Sequence, residues 1–107
     1  MRVLRLKKQK EITGVLGKGK RAHAGTLTVC YLPSAETKIA VCVGKKFGKS
    51  VQRNRIKRLL REAFRVYAEK ITPCRILLIP KVEEEYSFHA FTRDIGKILK
   101  KEGLLED

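Results

Sequence analysis

The chain has 107 residues, of which 25 are Lys or Arg and 11 are Asp or Glu, and its formal net charge is +14. This length predicts a single domain spanning residues 1–107. No apolar run approaches the length of a membrane span, and the N-terminal residues do not form a secretory signal. The three cysteines match no metal-binding spacing, which is typical of free thiols in a reducing compartment. We therefore expect a cytoplasmic protein that does not associate with membranes.

The excess of positive charge lies in the first part of the chain. Residues 1–61 hold 17 Lys or Arg and two acids, for a net charge of +15, whereas residues 62–107 hold eight basic and nine acidic residues. The densest segment, residues 45–61, has eight basic residues and no acid. Because like charges repel, this concentration indicates a polyanionic partner rather than a merely solubilising surface.

The first half of the chain predicts one helix and two strands. Residues 7–17 can form a short helix with apolar residues on one side, and glycines at 17 and 19 end it. Residues 26–32 alternate as a strand does, and residues 39–43 form a second, more buried strand. Because only a short turn at residues 35–38 separates them, we expect these two strands to pair as an antiparallel hairpin.

The second half of the chain predicts two helices around one strand. Residues 51–70 give the strongest helical pattern, with Ser50 as the expected N-cap. Residues 76–79 form a short buried strand, and Ser87 is expected to cap a last helix. This order of elements predicts an α+β fold with one mixed sheet and helices mainly on one face.

The predicted long helix has two faces. At 100° per residue its apolar side chains form one arc, which we expect to dock on the sheet. These side chains are Ile56, Leu59, Leu60, Ala63, Phe64 and Tyr67. The adjacent arc is cationic, begins at a seam marked by Arg53 and extends about 18 Å to Arg65. Because Arg can hold two phosphate oxygens at once, this arc predicts a ridge that follows a phosphate backbone.

The sequence offers few residues that could catalyse nucleotide hydrolysis or RNA cleavage. Gly44–Ser50 is similar to a phosphate-binding P-loop, but it has only three residues between its glycines, where that motif has four. The basic half offers only Glu11 and Glu36 to a metal-dependent nuclease, which needs converging carboxylates. The two histidines, His23 and His89, are far apart in sequence. We expect an RNA-binding protein without catalytic residues or a cofactor of its own.

Residues 45–64 identify the chain with a known family. They read Lys45-Lys46-Phe47-Gly48-Lys49-Ser50-Val51-Gln52-Arg53-Asn54-Arg55-Ile56-Lys57-Arg58-Leu59-Leu60-Arg61-Glu62-Ala63-Phe64. This segment strongly resembles the protein subunit of bacterial ribonuclease P, whose signature is Lys-Lys-x-Gly-x-Ala/Ser-Val-x-Arg-Asn-Arg-x-Lys-Arg-Leu-x-Arg-Glu-x-Phe. A looser similarity extends over most of the chain.

The resemblance implies a fold and a set of partners. The fold would be a two-layer α/β sandwich with a left-handed βαβ crossover through the long helix. The partners would be a large catalytic RNA and precursor tRNA, with no obligatory protein partner. The RNA would cleave the 5′ leader from the precursor in a reaction that requires Mg²⁺, and the protein would assist.

The resemblance also implies two binding surfaces. The catalytic RNA would contact the basic turn and the cationic arc of the helix, namely Lys45, Lys46, Lys49, Arg53, Asn54, Arg55, Lys57, Arg58 and Arg61. The amide of Asn54 could read a base edge or cap a backbone group. The single-stranded leader would lie in a cleft between the first helix and the sheet, lined by Lys7, Lys8, Ile12, Leu16 and Cys30.

The cleft departs from the family pattern. Ile12, Leu16 and Cys30 stand where the family has aromatic residues, and Gly44 stands where Ser is frequent. Stacking on an aromatic ring is worth about 1–3 kcal/mol per base, so a cleft without such rings depends more on its lysines. The alternative function is that of a structural rRNA-binding ribosomal protein, which the basic ridge by itself would equally serve.

Overall fold

The computed structural model describes residues 4–106 and shows an α+β fold with one sheet, as the sequence predicts. The elements in chain order are β1 (Leu4–Arg5), α1 (Gln9–Lys18), β2 (Lys20–His23), β3 (Leu27–Pro33), β4 (Lys38–Val41), a 3₁₀ turn (Lys45–Phe47), α2 (Ser50–Arg65), β5 (Cys74–Pro80) and α3 (Phe88–Lys101).

The sheet is mixed, with the strand order β1-β4-β5-β3-β2. Strand β4 is parallel to both β1 and β5, whereas β3 is antiparallel to β5 and to β2. Since β4 and β5 are adjacent, parallel and joined through α2, they form the expected βαβ crossover. Its left hand, which the family resemblance implies, stays a prediction.

The prediction that β3 and β4 pair as a hairpin is wrong, because β5 lies between these two strands in the sheet. Leu77 of β5 pairs with Cys30 of β3 on one side and with Ala40 of β4 on the other. The run Ile76–Ile79 is apolar at every position, so β5 gains most where both of its faces are covered, at the centre of the sheet. The hairpin that does form joins β3 to β2. Strand β2 was not predicted because only Ala22 among its residues is buried.

Alternating side chains of β5 face two different apolar clusters. Ile76 and Leu78 belong to the large core beneath α2 and α3, whereas Leu77 belongs to a smaller cluster beneath α1. Two helices therefore cover one face of the sheet and α1 covers part of the other. This confirms that the helices lie mainly on one face. On the other face, part of the sheet is not covered by a described helix.

The expected helix caps are confirmed for α3 and wrong for α2. Ser87 accepts a hydrogen bond from the backbone N–H of Ala90 at 3.0 Å, so it caps α3 as predicted. Helix α2 begins one residue earlier than expected, and Lys49 rather than Ser50 is its N-cap. There the Gln52 side chain reaches back and accepts from the backbone N–H of Lys49 at 2.9 Å. The regular helix ends at Arg65, and turns complete the predicted span to residue 70.

Candidate nucleic-acid interface

Helix α2 presents its apolar face to the core. Ile56, Leu60, Ala63 and Phe64 are buried there, as the helical periodicity predicts. Arg53 marks the seam, because its side chain is half-buried while its guanidinium Nη2 donates to Ser50 Oγ at 3.4 Å. The helix is thus fixed in rotation, so the side chains of its opposite face point outward.

The outward face of α2 is cationic and largely uncompensated. Asn54, Arg55 and Arg58 are exposed, whereas Lys57 and Arg61 are half-buried along the seam. Among residues 4–106, the one ion pair that α2 makes joins Arg58 Nε to Glu62 Oε1 at 3.2 Å. Both side chains are well exposed, and such surface pairs contribute about 0–1 kcal/mol, so Arg58 can exchange its partner for a phosphate.

The basic turn before α2 brings three more lysines to the same end of the helix. Lys45, Lys46 and Lys49 are all exposed. Gly48 has a φ of 110°, which L side chains rarely adopt, and a Cβ there would overlap the Gln52 amide. Glycine therefore allows the chain to turn sharply into α2, which places these lysines beside the helix N-terminus, where the helix dipole also attracts anions.

An aromatic row anchors this turn to the rest of the fold. The Phe47 ring lies 6.5 Å from the Tyr86 ring, which stacks at 5.8 Å on the buried Phe91 of α3. Lys46 Nζ lies 5.5 Å from the centre of the Phe47 ring. Sequence reasoning assigned no role to Phe47, although it is the one apolar residue between Gly44 and Ser50. A single apolar side chain in an otherwise basic segment indicates a contact with the core, and this pattern could have identified Phe47 from the sequence.

The residues expected to line the leader cleft lie on or beside α1, except for Cys30, which lies on β3. Lys7 and Lys8 are exposed at the start of α1, and Ile12 and Leu16 are half-buried over the smaller apolar cluster. Cys30, in contrast, has no exposed surface, because its Sγ lies beneath α1 and donates to the Val15 carbonyl at 3.2 Å. Lys7, Lys8, Ile12 and Leu16 therefore reach solvent, whereas Cys30 does not, and the cleft that they are expected to line stays a prediction.

Two thiols beneath and beside α1 are poor nucleophiles. Burial raises the pKa of Cys30, although the neighbouring Arg21 lowers it in part. Burial also raises the pKa of Cys42, which packs against the same cluster as Ile12 and Leu16. Since the thiolate is the reactive form, these groups serve as apolar packing at neutral pH.

Two structural features are absent from residues 4–106. Within residues 4–106, no three His, Cys, Asp or Glu side chains come together as metal ligands would. No helix in that span is both long and apolar enough to cross a membrane. The described surface carries exposed lysines at the start of α1, beside the half-buried apolar side chains of Ile12 and Leu16.

Comparisons with known proteins agree on one family. The family model described as Ribonuclease P matches residues 1–103. The chain is 33% identical over 94 residues to the ribonuclease P protein component of Chlamydia trachomatis serovar L2, covering 85% of this chain and 78% of that protein. It is 35% identical over 92 residues to the component of Thermus thermophilus, covering 85% of this chain and 55% of that protein.

Solved structures share the fold. The RNase P protein of Staphylococcus aureus superposes with a TM-score of 0.85 at 23% identity, covering 98% of this chain and 100% of that one. The RNase P protein of Thermotoga maritima gives a TM-score of 0.80 at 25% identity, covering 91% of this chain and 96% of that one. The matching family model, the sequence relatives and the shared fold show that the chain belongs to the ribonuclease P protein family.

Proposed function

We propose that this chain is the protein subunit of a cytoplasmic ribonucleoprotein that removes the 5′ leader from precursor tRNA. The observation that carries the proposal is the position of the family signature. Residues 45–64 span the basic turn and most of α2, and their exposed and half-buried cations make a single ion pair within residues 4–106, between Arg58 and Glu62. A surface with uncompensated cations is stabilised by a polyanion, and the signature favours the catalytic RNA of the family as that polyanion.

The chemistry would belong to the RNA. The first 61 residues contain two acids, and one of them, Glu11, is paired with Lys38 at 3.6 Å, so the basic half of the chain offers few carboxylates to hold catalytic ions. We assign the Mg²⁺ ions and the phosphodiester hydrolysis to the RNA. The protein would reduce phosphate repulsion within that RNA and thereby lower the Mg²⁺ concentration that the reaction needs.

The precursor's leader would bind beside α1. Ile12 and Leu16 offer a half-buried apolar wall, and Lys7 and Lys8 offer charge at the start of the helix. Aliphatic side chains cannot stack on bases as aromatic rings do, so we expect leader binding here to depend on the lysines and to be strongly sensitive to salt.

Sequencing the RNA that co-purifies with the tagged protein from its own cells tests the proposal. The expected RNA is the catalytic RNA of ribonuclease P, together with precursor tRNA. Enrichment of ribosomal RNA instead would support the structural ribosomal role, which would require the same ridge but not the cleft.

The ridge is tested separately by salt titration. Arg53→Ala and Arg58→Ala should each weaken binding to the catalytic RNA and reduce the salt slope by about one unit for each phosphate that the variant no longer binds. Unchanged slopes in both variants would place the ridge away from the RNA.

A further inference from the structure

A cationic cavity of about 460 Å³ lies at the far end of the ridge, where the C-terminal end of α2 faces the edge strand β1. Its rim carries Arg5 from β1, Arg61 and Arg65 from α2, and Lys70 from the turn that follows. One acid, Glu69, also lines it. This volume falls within the range of about 300–1,000 Å³ that is common for small-ligand sites.

The arginines of this cavity are not neutralised by the fold. Among residues 4–106, Arg5, Arg61 and Arg65 make no ion pair. Partial burial lowers the pKa of Arg61, and repulsion from Arg5 lowers it further. Arg5 and Arg61 come from different elements and both line the cavity, so an anion placed between them would relieve that repulsion.

The cavity also has an apolar floor. Ile39, Phe64 and Ala68 are each at most 9% exposed and form its base, and Val66 stands 53% exposed at its rim. A free inorganic anion would use only the arginines. A nucleotide would use both parts, with its phosphate on the guanidinium groups and its sugar or base against the apolar surface.

The position of the cavity favours a nucleic acid that is already bound along α2. Arg53, Lys57, Arg61 and Arg65 recur every four residues, so they lie in one row along the helix. The last two residues of this row, Arg61 and Arg65, line the cavity. Arg5 lines it from the edge strand β1, so the series of cations continues from the helix to the sheet. A backbone that follows the row would therefore arrive at Arg5.

We propose that Arg5, Arg61 and Arg65 form a clamp that holds one phosphate of the catalytic RNA, with the attached nucleotide against the cavity floor. The proposal rests on the proposed function, because it takes the RNA on α2 as its occupant. It extends the RNA surface beyond the family signature to two further residues, Arg5 and Arg65.

Salt-dependent binding of the full-length chain to the catalytic RNA of ribonuclease P tests the clamp. Arg5→Gln and Arg65→Gln should each weaken binding about three- to tenfold and lower the salt slope by about 0.7 to 0.9, as expected when one phosphate is no longer neutralised. Lys97→Gln is the matched control, since Lys97 is exposed on α3 and makes no ion pair within the described residues. It should change neither quantity.

A crosslinking arm locates the RNA directly. The photoreactive residue p-benzoylphenylalanine in place of Val66 should crosslink to the RNA, whereas the same residue in place of Val82, which is similarly exposed, should not. Wild-type affinity and slope in both arginine variants, or equal crosslinking at the two positions, would overturn the clamp. If these variants bind normally while Arg58→Ala binds weakly, the clamp fails and the proposed function stands. If the wild-type chain does not bind the RNA, both fail.

Discussion

Asp94 is a buried carboxylate that ties the β2–β3 hairpin to α3. It is 2% exposed, and its Oδ2 accepts from the backbone N–H and the hydroxyl of Thr26 at 2.9 and 2.7 Å. Burial by itself would raise the pKa of Asp94, but the hydrogen bonds from Thr26 and the guanidinium of Arg93 outweigh burial and hold the pKa below its usual value. The acid is therefore structural, and it differs in this respect from the unpaired cations of the ridge.

Asp94→Asn should cost about 1–3 kcal/mol of unfolding free energy at pH 7, because an amide oxygen accepts these hydrogen bonds more weakly than a carboxylate. The folded-state pKa is depressed, so the contribution of the carboxylate is complete above its unfolded pKa of about 3.9 and is lost as the pH falls through the folded pKa. Urea unfolding at pH 7 and at successively lower pH should show the two proteins converging. Equal stability at pH 7, or a gap that persists below the folded pKa, would argue against this role.

Gly96 allows α2 and the turn after it to approach α3 closely. The Tyr67 hydroxyl donates to the Thr92 carbonyl at 2.8 Å and lies so near Gly96 that a Cβ there would overlap it. Gly96→Ala should therefore destabilise the fold by about 1–3 kcal/mol, despite the better helix propensity of Ala.

Gly14→Ala in α1 is the control. Nothing lies within 4 Å of its would-be Cβ, so it should stabilise by up to about 1 kcal/mol. Thermal unfolding measures both, and the same sign for both would contradict the packing argument.

At the scale of elements, the basic turn and α2 form one cationic surface, and the position of the turn depends on aromatic contacts with Tyr86 and α3. The turn carries three lysines, but its position is fixed by Phe47 against Tyr86 and, through Tyr86, by α3. Tyr86 is itself held, because its hydroxyl donates to the Lys81 carbonyl at 3.0 Å. The surface is therefore preorganised, which lowers the cost of ordering it when RNA binds.

Phe47→Ala should weaken RNA binding about tenfold and leave the salt slope unchanged, because every charge remains while the turn loses its anchor. Val82→Ala, an exposed apolar truncation after β5, should change neither the affinity nor the slope. Filter binding at several salt concentrations separates the two effects. A reduced slope in Phe47→Ala would mean that the ring acts by keeping a phosphate in place, and unchanged affinity would mean that the anchor is unnecessary.

Local patterns predicted the helices better than they predicted the sheet. The apolar residues of α2 recur at helical spacing, so its buried and cationic faces followed from the sequence, including the seam at Arg53. The pairing of β3 with β4 was predicted wrongly because the central position goes to β5, the strand that is apolar on both faces. Strand β5 is distant from β3 and β4 in sequence, so the turn between β3 and β4 does not reveal this. The burial of Cys30 beneath α1 and the approach of Arg5 to Arg61 depend on the same long-range arrangement, so neither could be read from spacing.

At the scale of the whole molecule, the charge is arranged as one basic side against a nearly neutral remainder. Of the net charge of +15 on residues 1–61, eight units lie on residues 45–61, in the basic turn and α2, whereas α3 and β5 contribute chiefly to the core. Helix α2 belongs to both parts, because its apolar face packs in the core while its opposite face carries the cations. We therefore expect the exposed cations of the ridge, such as Arg58, to be replaceable with little effect on the stability of the fold.

The most direct test is reconstituted cleavage of precursor tRNA by the catalytic RNA of ribonuclease P at a low Mg²⁺ concentration, with and without this protein. We predict that the protein increases the rate of leader removal, and that the protein without the RNA cleaves nothing. No increase on adding the protein, or efficient cleavage by the protein alone, would contradict it.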